Sequence, residues 1–160
     1  MSEIKLGLAR LGDAPRIAAM SRTLIEAGLP WSWTPKRVAE HMKQREHLAV
    51  IATFERQLAG FVLGQFGSES VHLALLGVAE THQRQGLGRL LVRWVEESAV
   101  VAGLFLMRLE VRASNTRARR FYGALGYTEA GVAPHYYSGV EDAIQFTRDL
   151  QAKNRIADSR

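Results

Sequence analysis

Leu73, Leu75, Leu76 and Val78 form an apolar run with the length of a strand, and Leu87, Leu90, Leu91, Trp94, Val95 and Ala99 then recur at helical spacing. The segment between them, Gln83-Arg84-Gln85-Gly86-Leu87-Gly88, is therefore a strand-to-helix turn. The same periodicities set out the rest of the chain. Ile4, Leu6 and Leu8 alternate as a first strand. Asp13 with Pro15 marks a helix start that runs through Ile17, Met20, Leu24 and Ile25 to Gly28. Thr34-Pro35 repeats that signal for a short helix with Val38 and Met42 on one face, ending near Arg45. Residues 47–54 and 58–66 read as an antiparallel hairpin around Glu55-Arg56-Gln57, and residues 71–78 as the next strand. After the central helix come a strand at 104–111, a helix at 115–125 stopped by Gly126, a strand at 127–132 and a last strand at 143–150. No repeat or linker interrupts this order. It predicts an α+β fold in one domain over residues 1–150, with a mixed, mostly antiparallel sheet of about six to seven strands and helices on both faces. Residues 151–160 are a polar tail expected to fray.

Composition narrows the function classes. A chain of 160 residues buries roughly 70% of its unfolded surface, enough for a core without metal or disulfide staples. The absence of cysteine excludes thiolate catalysis, a disulfide framework and cysteine-ligated zinc. The five histidines show no i, i+4 pairing, so no metal site is expected. The N-terminus has no apolar leader segment, and no run approaches the ~18 apolar residues of a membrane span, so a cytoplasmic protein with no membrane partner is expected. The net charge of +5 invites a nucleic-acid reading, but no nucleic-acid-binding motif accompanies it. Many arginines cluster near the glycine turn and at Arg112, Arg117, Arg119 and Arg120, where a polyanionic ligand would account for them; the plainer reading, solvated helix faces, covers most of them.

The glycine turn suits a phosphorylated ligand. Gly86 and Gly88 let the backbone turn tightly, the first helical turn presents unpaired N–H groups and the positive end of its dipole, and Arg84 and Arg89 add full charge. A Walker A loop would need Gly-Lys-Ser/Thr, where Arg89-Leu90 follow Gly88 here. A dinucleotide fingerprint is closer, since Gly86-x-Gly88 opens a helix and Glu110 follows at about the expected ~20-residue distance. Its third small position is filled by Leu91, and residues 80–85 are too long a polar segment for a turn leaving the strand directly.

A third kind of loop fits better. The order apolar strand, Gln-x-x-Gly-x-Gly, helix is followed by Leu109-Glu110-Val111-Arg112-Ala113-Ser114-Asn115, then Ala118, Phe121-Tyr122, Leu125-Gly126-Tyr127, His135-Tyr136-Tyr137 and Glu141-Asp142-Ala143-Ile144. This set resembles the GNAT superfamily of N-acetyltransferases, and within it is similar to the bacterial ribosomal-protein-alanine N-acetyltransferases. The resemblance covers residues 73–146, nearly half the chain. It implies a GNAT-like fold and acetyl-CoA as co-substrate, held by Leu76, Gly77, Val78, Arg84, Gln85, Gly86, Leu87, Gly88 and Arg89, with Asn115 contacting the pantetheine arm. It also implies Glu110 as general base and Tyr122 as general acid, and a protein N-terminus as partner, with a small-subunit ribosomal protein leading.

The residues themselves leave more open. Gly77 at the strand end suggests a bulge that frees the Val78 N–H for the thioester carbonyl, or an ordinary kink. Periodicity alone makes Glu110 a solvent-facing glutamate. Tyr122 suits the acid role, because a phenol of pKa ~10 stays protonated and can donate to a thiolate of pKa ~8.5; as a core aromatic beside Phe121 it reads equally well. Asn115 is a good N-cap whatever else it does. Trp31, Trp33, Tyr136 and Tyr137 line an acceptor pocket or belong to the core. Ala133-Pro134 stand where the alanine acetyltransferases usually carry basic residues, and Ser138-Gly139-Val140 is shorter than their connection, so another N-terminus, a lysine or a small amine remains an acceptor alternative. A dinucleotide-binding oxidoreductase domain and a non-catalytic RNA- or ribosome-binding module are the alternatives of other classes.

Overall fold

The structure, a computed structural model, describes residues 3–151. Its elements are β1 (Lys5–Leu8), α1 (Ala14–Leu24), α2 (Pro35–Lys43), β2 (His47–Phe54), β3 (Gln57–Phe66), β4 (Val71–Val78), α3 (Leu87–Val101), β5 (Leu106–Arg112), α4 (Thr116–Ala124), β6 (Thr128–Tyr137) and β7 (Glu141–Asp149). The seven strands form one mixed sheet in the order β1-β2-β3-β4-β5-β7-β6. Strands β1 and β2, β2 and β3, β5 and β7, and β6 and β7 pair antiparallel, while β4 and β5 pair parallel. The predicted α+β class is therefore the observed one. Two compact units divide the chain: the first holds residues up to Phe66 and Leu73–Val95, the second Gly67–His72 and the residues from Glu96 onward. The tail expected to fray lies, past Gln151, outside the described residues.

In the first unit the core forms where one face of β3 meets α1 and α2. Ile17, Ala18, Val38, Phe61 and Leu63 are fully buried there together with Leu75 of β4, each large side chain stabilising by about 1.5–3 kcal/mol. The opposite face of β3 carries Gly60. A Cβ at that position would lie 2.9 Å from the Gly77 carbonyl oxygen of β4, 3.1 Å from Leu91 Cδ1 and 3.5 Å from Leu87 Cδ2 of α3. Helices thus cover both faces of β3, and the close helix–strand approach is made by a glycine on the strand against leucines on the helix. This is the reverse of the dinucleotide-binding arrangement, in which the small residue belongs to the helix.

Start signals held at α2, where Thr34 Oγ1 accepts from the Arg37 N–H at 3.3 Å. At α1 they held only in position. Asp13 occupies the N-cap but makes no side-chain cap bond; its carboxylate instead accepts from the Arg10 N–H at 2.7 Å and from Arg16 at 2.8 Å. Helix α1 also stops at Leu24 rather than near Gly28, because a turn through residues 25–29 follows, with Gly28 at φ +80°. The β2–β3 hairpin turns on Glu55 and Arg56 alone, at φ +51° and +68°. Such two-residue turns favour Asn and Gly. Here Arg16 Nη1 holds the Arg56 carbonyl at 2.9 Å.

In the second unit Met107, Leu109 and Val111 of β5 are buried with Tyr122, Tyr127, Ala143 and Phe146. Glu96, late in α3, accepts from Arg148 Nη1 at 2.7 Å and from the Tyr127 hydroxyl at 2.9 Å, joining that helix to β7 and to the residue before β6. Strand β6 is longer than the expected 127–132 and takes in His135-Tyr136-Tyr137. Alternation could not show this. The strand is an exposed sheet edge with irregular register between Glu129 and Gly131 and between Ala133 and Tyr137, and it contains Pro134.

Candidate active site

The glycine turn lies in the first unit and has the geometry of an anion cradle. Arg84 and Gly86 both have positive φ, +64° and +82°. For arginine that backbone is uncommon and strained, and such strain concentrates at functional sites. Gln83 Nε2 donates to the Val78 carbonyl at 2.9 Å, tying the turn back to the end of β4. Leu87 is buried and seats the first turn of α3, while Arg84, Gln85 and Arg89 are exposed and Gly88 is half-buried. Nothing within 4 Å would meet a Cβ at Gly86, so its glycine answers to backbone conformation. Backbone N–H groups at a helix start, a glycine turn and two flanking cations fit a pyrophosphate.

Gly77 answers to something else. A Cβ there would lie 2.6 Å from Cε1 of Phe61, so the core ring across the strand by itself requires a glycine. Beside it the Ala79 N–H donates to the Ala59 carbonyl at 2.8 Å, and the Val78 carbonyl accepts from Gln83. Leu76 and Val78 are half-buried beside it.

The second unit holds the candidate acid–base residues. Glu110 stands on β5 between the buried Leu109 and Val111, so it shares the other face with Arg108 and Arg112. Two donors converge on one of its oxygens: His72 Nε2 lies 2.5 Å and the Tyr136 hydroxyl 3.0 Å from Oε1. Both His72 and Glu110 side chains are mostly buried, 14% and 11% exposed. Burial pushes the carboxyl up, but the bonds from His72 and Tyr136 and the charge of Arg108 outweigh it and hold Glu110 below the usual carboxylate range. The alternative of a plain solvent-facing glutamate is thereby excluded.

Tyr122 is 6% exposed, with Phe121, Tyr127 and Phe146 rings at 5.0, 5.6 and 6.2 Å. Burial, with Tyr137 nearby, pushes its phenol up, so it remains protonated throughout the neutral range. It is a core aromatic that keeps its proton, which leaves both readings of it intact. Asn115 caps α4, its Oδ1 accepting from the Ala118 N–H at 3.0 Å. Glu141 explains why two separated motif blocks occur together. It accepts from Arg112 Nε at 2.7 Å, from the Ser114 N–H at 3.1 Å and from the Ser114 hydroxyl, while Asp142 takes the His135 N–H at 2.8 Å and gives its carbonyl to Ala113. Those Ser114 and Arg112 bonds draw the Glu141 carboxyl down to about 2.

Two of the clustered arginines and one histidine find partners within the chain. Arg112 pairs with Glu141, and Arg119 with Glu129 at 2.8 Å, so these two arginines are met by the chain's own carboxylates. Among the histidines, which were weighed only as metal ligands, His72 stands against the candidate base. Its signal in the sequence was parity: a polar residue on the same strand face as Ala74 and Leu76. The other residue missed is Glu26, which is buried and takes the Ser32 N–H at 3.0 Å, the Ser32 hydroxyl and the Trp33 N–H at 3.1 Å. It fixes the turn between α1 and α2. Trp31 and Trp33 pack against the first unit's core with Arg22 at 4.8 Å and Arg37 at 3.9 Å over their rings. Tyr136 and Tyr137 instead stand in the second unit beside Glu110, with rings 5.0 Å apart. Among the described residues there is no group of side chains suited to a metal, and no helix long and apolar enough to cross a membrane.

This combination of fold and residues defines an N-acetyltransferase. The Acetyltransferase (GNAT) family matches residues 18–127, and the chain belongs to that family. It is 35% identical over 115 residues to the ribosomal protein bS18-alanine N-acetyltransferase of Escherichia coli strain K12, covering 70% of this chain and 77% of that one. An N-alpha-acetyltransferase of Sulfurisphaera tokodaii is 27% identical over 161 residues, covering 92% and 94%. The crystal structure of the E. coli ribosomal-protein-S18-alanine N-acetyltransferase superimposes with a TM-score of 0.79 at 28% identity, over 92% of this chain and 94% of that one. Arabidopsis thaliana NAA60, solved in complex with acetyl-CoA, shares the fold at a TM-score of 0.81 and 17% identity, over 93% of this chain and 99% of that one.

Proposed function

We propose that this acetyltransferase moves acetyl from acetyl-CoA directly to the N-terminal α-amine of a protein, with the N-terminal alanine of a small-subunit ribosomal protein as the leading acceptor. The observation that carries the reading is Glu110: a mostly buried carboxylate, kept ionised by His72 and Tyr136, on the strand that bears the Leu-Glu-Val-Arg string. Bound at residues 83–89, acetyl-CoA supplies an activated thioester. Arg84, Arg89 and the N–H groups of the turn hold its pyrophosphate, and Asn115 contacts its pantetheine arm. Val78 N–H polarises the carbonyl. Glu110 accepts the proton released as the amine nitrogen bonds the acetyl carbon, directly or through one water, and Tyr122 gives its proton to the sulfur as the carbon–sulfur bond breaks.

The strength of the base bears on the acceptor. A carboxylate held below its usual range does not deprotonate an ammonium of either kind, N-terminal or lysine, so the acceptor amine must arrive neutral. An α-amine of pKa ~8 is about one-tenth neutral at pH 7, whereas a lysine near ~10.4 is neutral in well under one molecule in a thousand. An α-amine acceptor therefore asks less of Glu110, in keeping with the relatives named for N-terminal substrates. Ala133-Pro134 and the short Ser138-Gly139-Val140 connection depart from the resembling enzymes where the acceptor is expected to bind, so other protein N-termini, lysine and small amines belong in the screen.

The test has two stages. Acetyl-CoA at a hundredfold excess over Kd should stabilise the protein by about 2.7 kcal/mol, and NADH should not. Peptides with N-terminal Ala, Ser and Met, one with internal Lys, and small amines are then assayed for transfer. Stabilisation by NADH alone, or transfer to lysine in preference to every α-amine, would overturn the reading.

A further inference from the structure

We propose that His72 is a positioning residue for acetyl transfer: by bonding Oε1 of Glu110 it fixes the carboxylate so that Oε2 is the oxygen that meets the acceptor's proton. The inference rests on Glu110 being the base. Three observations carry it. First, both donors on the carboxylate, His72 Nε2 at 2.5 Å and the Tyr136 hydroxyl at 3.0 Å, fall on the same oxygen, so the two oxygens of Glu110 are differentiated.

Second, the two donors are unequal in support. Tyr136 is 49% exposed and sits on an edge strand between Pro134 and Ser138, with left-handed residues at His135 and Ser138 on either side. His72 is 14% exposed on β4, an interior strand, where it is the register partner of Arg108 across the parallel pair with β5. Interior strands hold a side chain more rigidly than a hairpin edge, and catalytic geometry depends on such supporting contacts. His72 is the fixed strut and Tyr136 the adjustable one.

Third, an unsupported glutamate would have three freely rotating side-chain torsions, and a base that must meet a proton within hydrogen-bond reach loses rate when it samples other rotamers. The other charged and titratable groups around the pair are Arg108 on β5, which faces both, Tyr137 on β6, and Arg112, which Glu141 holds at 2.7 Å. Among the described residues only His72 and Tyr136 hydrogen-bond Glu110, so these two orient it.

Three variants test this. With acetyl-CoA and the best α-amine acceptor, H72A should lower kcat about tenfold, a fraction of the ~100-fold or greater contribution typical of a general base, with acetyl-CoA affinity unchanged. The acid limb of its kcat profile, which reports the bound complex and not the free amine, should move to higher pH, because the bond that favoured the ionised carboxylate is gone. H72Q places an amide N–H near the position of Nε2 and should recover activity to within about threefold of wild type; H72N, too short to reach, should behave like the alanine variant. In an E110Q background H72A should cost nothing further, since its effect passes through Glu110. If H72A leaves kcat and the acid limb unchanged, or costs as much with Glu110 already replaced, the positioning role is overturned. A wild-type protein that acetylates no amine would overturn the function itself, an outcome the H72A comparison does not share.

Discussion

The Phe61 ring covers the Cα of Gly77 so closely that a Cβ there would lie 2.6 Å from Cε1 and 3.2 Å from Cζ. Phe61 is fully buried and cannot swing away without opening the core of its unit. Gly77→Ala should therefore destabilise the protein by about 1–3 kcal/mol through overpacking. Chemical denaturation measures this, and the cycle with Phe61→Leu checks the cause: the smaller side chain makes room, so the alanine should cost much less in that background. Equal cost in both backgrounds would mean that Gly77 serves the backbone and not the ring.

The two proposed catalytic side chains should separate chemistry from binding. Glu110→Gln keeps the shape of the side chain and removes the base, and Tyr122→Phe keeps the ring and removes the proton. Each should lower kcat by roughly 100-fold or more while acetyl-CoA affinity stays within about twofold. For Tyr122 the buried ring contacts survive in phenylalanine, so stability should change little. Single-turnover kinetics with titration calorimetry decides the matter; loss of acetyl-CoA binding in either variant would place these residues in the binding machinery.

What the sequence revealed of this fold followed local signals. Strands β2 and β4 run over the residues their alternation and apolar runs predict, and α4 begins at the Asn115 cap. Signals failed where a side chain found another partner or a strand had no buried face. Asp13 has the chemistry of a cap, but its carboxylate is taken by Arg10 and Arg16. Strand β6 has no buried face to impose alternation, so its reach to Tyr137 was invisible. The motif located Glu110, but what makes it more than a surface glutamate is His72, 38 residues earlier and on a parallel neighbour. A parallel pairing joins residues whose separation no turn fixes, and for that reason the pair could not be read from spacing.

Glu26 is the most heavily used side chain of the α1–α2 turn, with three donors from two consecutive residues. A glutamine there has one acceptor oxygen, and its amide would face N–H and O–H donors. Glu26→Gln should cost about 1–3 kcal/mol and loosen the turn. Because Trp31 and Trp33 lie within or beside it, tryptophan emission should shift to longer wavelength in the folded variant. An unchanged spectrum and midpoint would show that the turn is held by its packing.

Glu96, Arg148 and Tyr127 form a mostly buried triad, with the Glu96 and Arg148 side chains 12% and 10% exposed. Removing one charge leaves the other without its partner, so Glu96→Gln should cost about 3–5 kcal/mol. Replacing the whole group by apolar residues of similar volume, in the triple variant E96L, R148M and Y127F, should bring stability back to within about 1 kcal/mol of wild type, because the desolvation of the ions disappears with them. Thermal denaturation of the two variants side by side makes the comparison. A triple variant as unstable as the single one would mean that the ion pair does more than satisfy its own burial.

His41 makes the stability of the first unit depend on pH. Burial draws its pKa from 6.5 to about 4; the bond to the Leu48 carbonyl opposes this, and the nearby His47 and Arg37 add to it. Neutral His41 fits its surroundings: Nε2 lies 3.2 Å from that carbonyl, Nδ1 is buried without a partner, the His47 ring stacks at 4.2 Å and the Trp33 ring meets it edge-on at 5.9 Å. The folded pKa lies below the unfolded one, so between these two values the unfolded chain binds the extra proton and stability rises with pH. As pH falls from 6.5 toward 4, His41 alone should withdraw stability on the order of 3 kcal/mol. Below about 4 the folded protein is protonated as well and this loss levels off. His41→Phe removes the titration and leaves the Leu48 carbonyl without its donor, so the variant should start less stable near neutrality yet lose less on acidification. Urea midpoints at half-unit pH steps for both proteins test this, and parallel curves through that window would refute it.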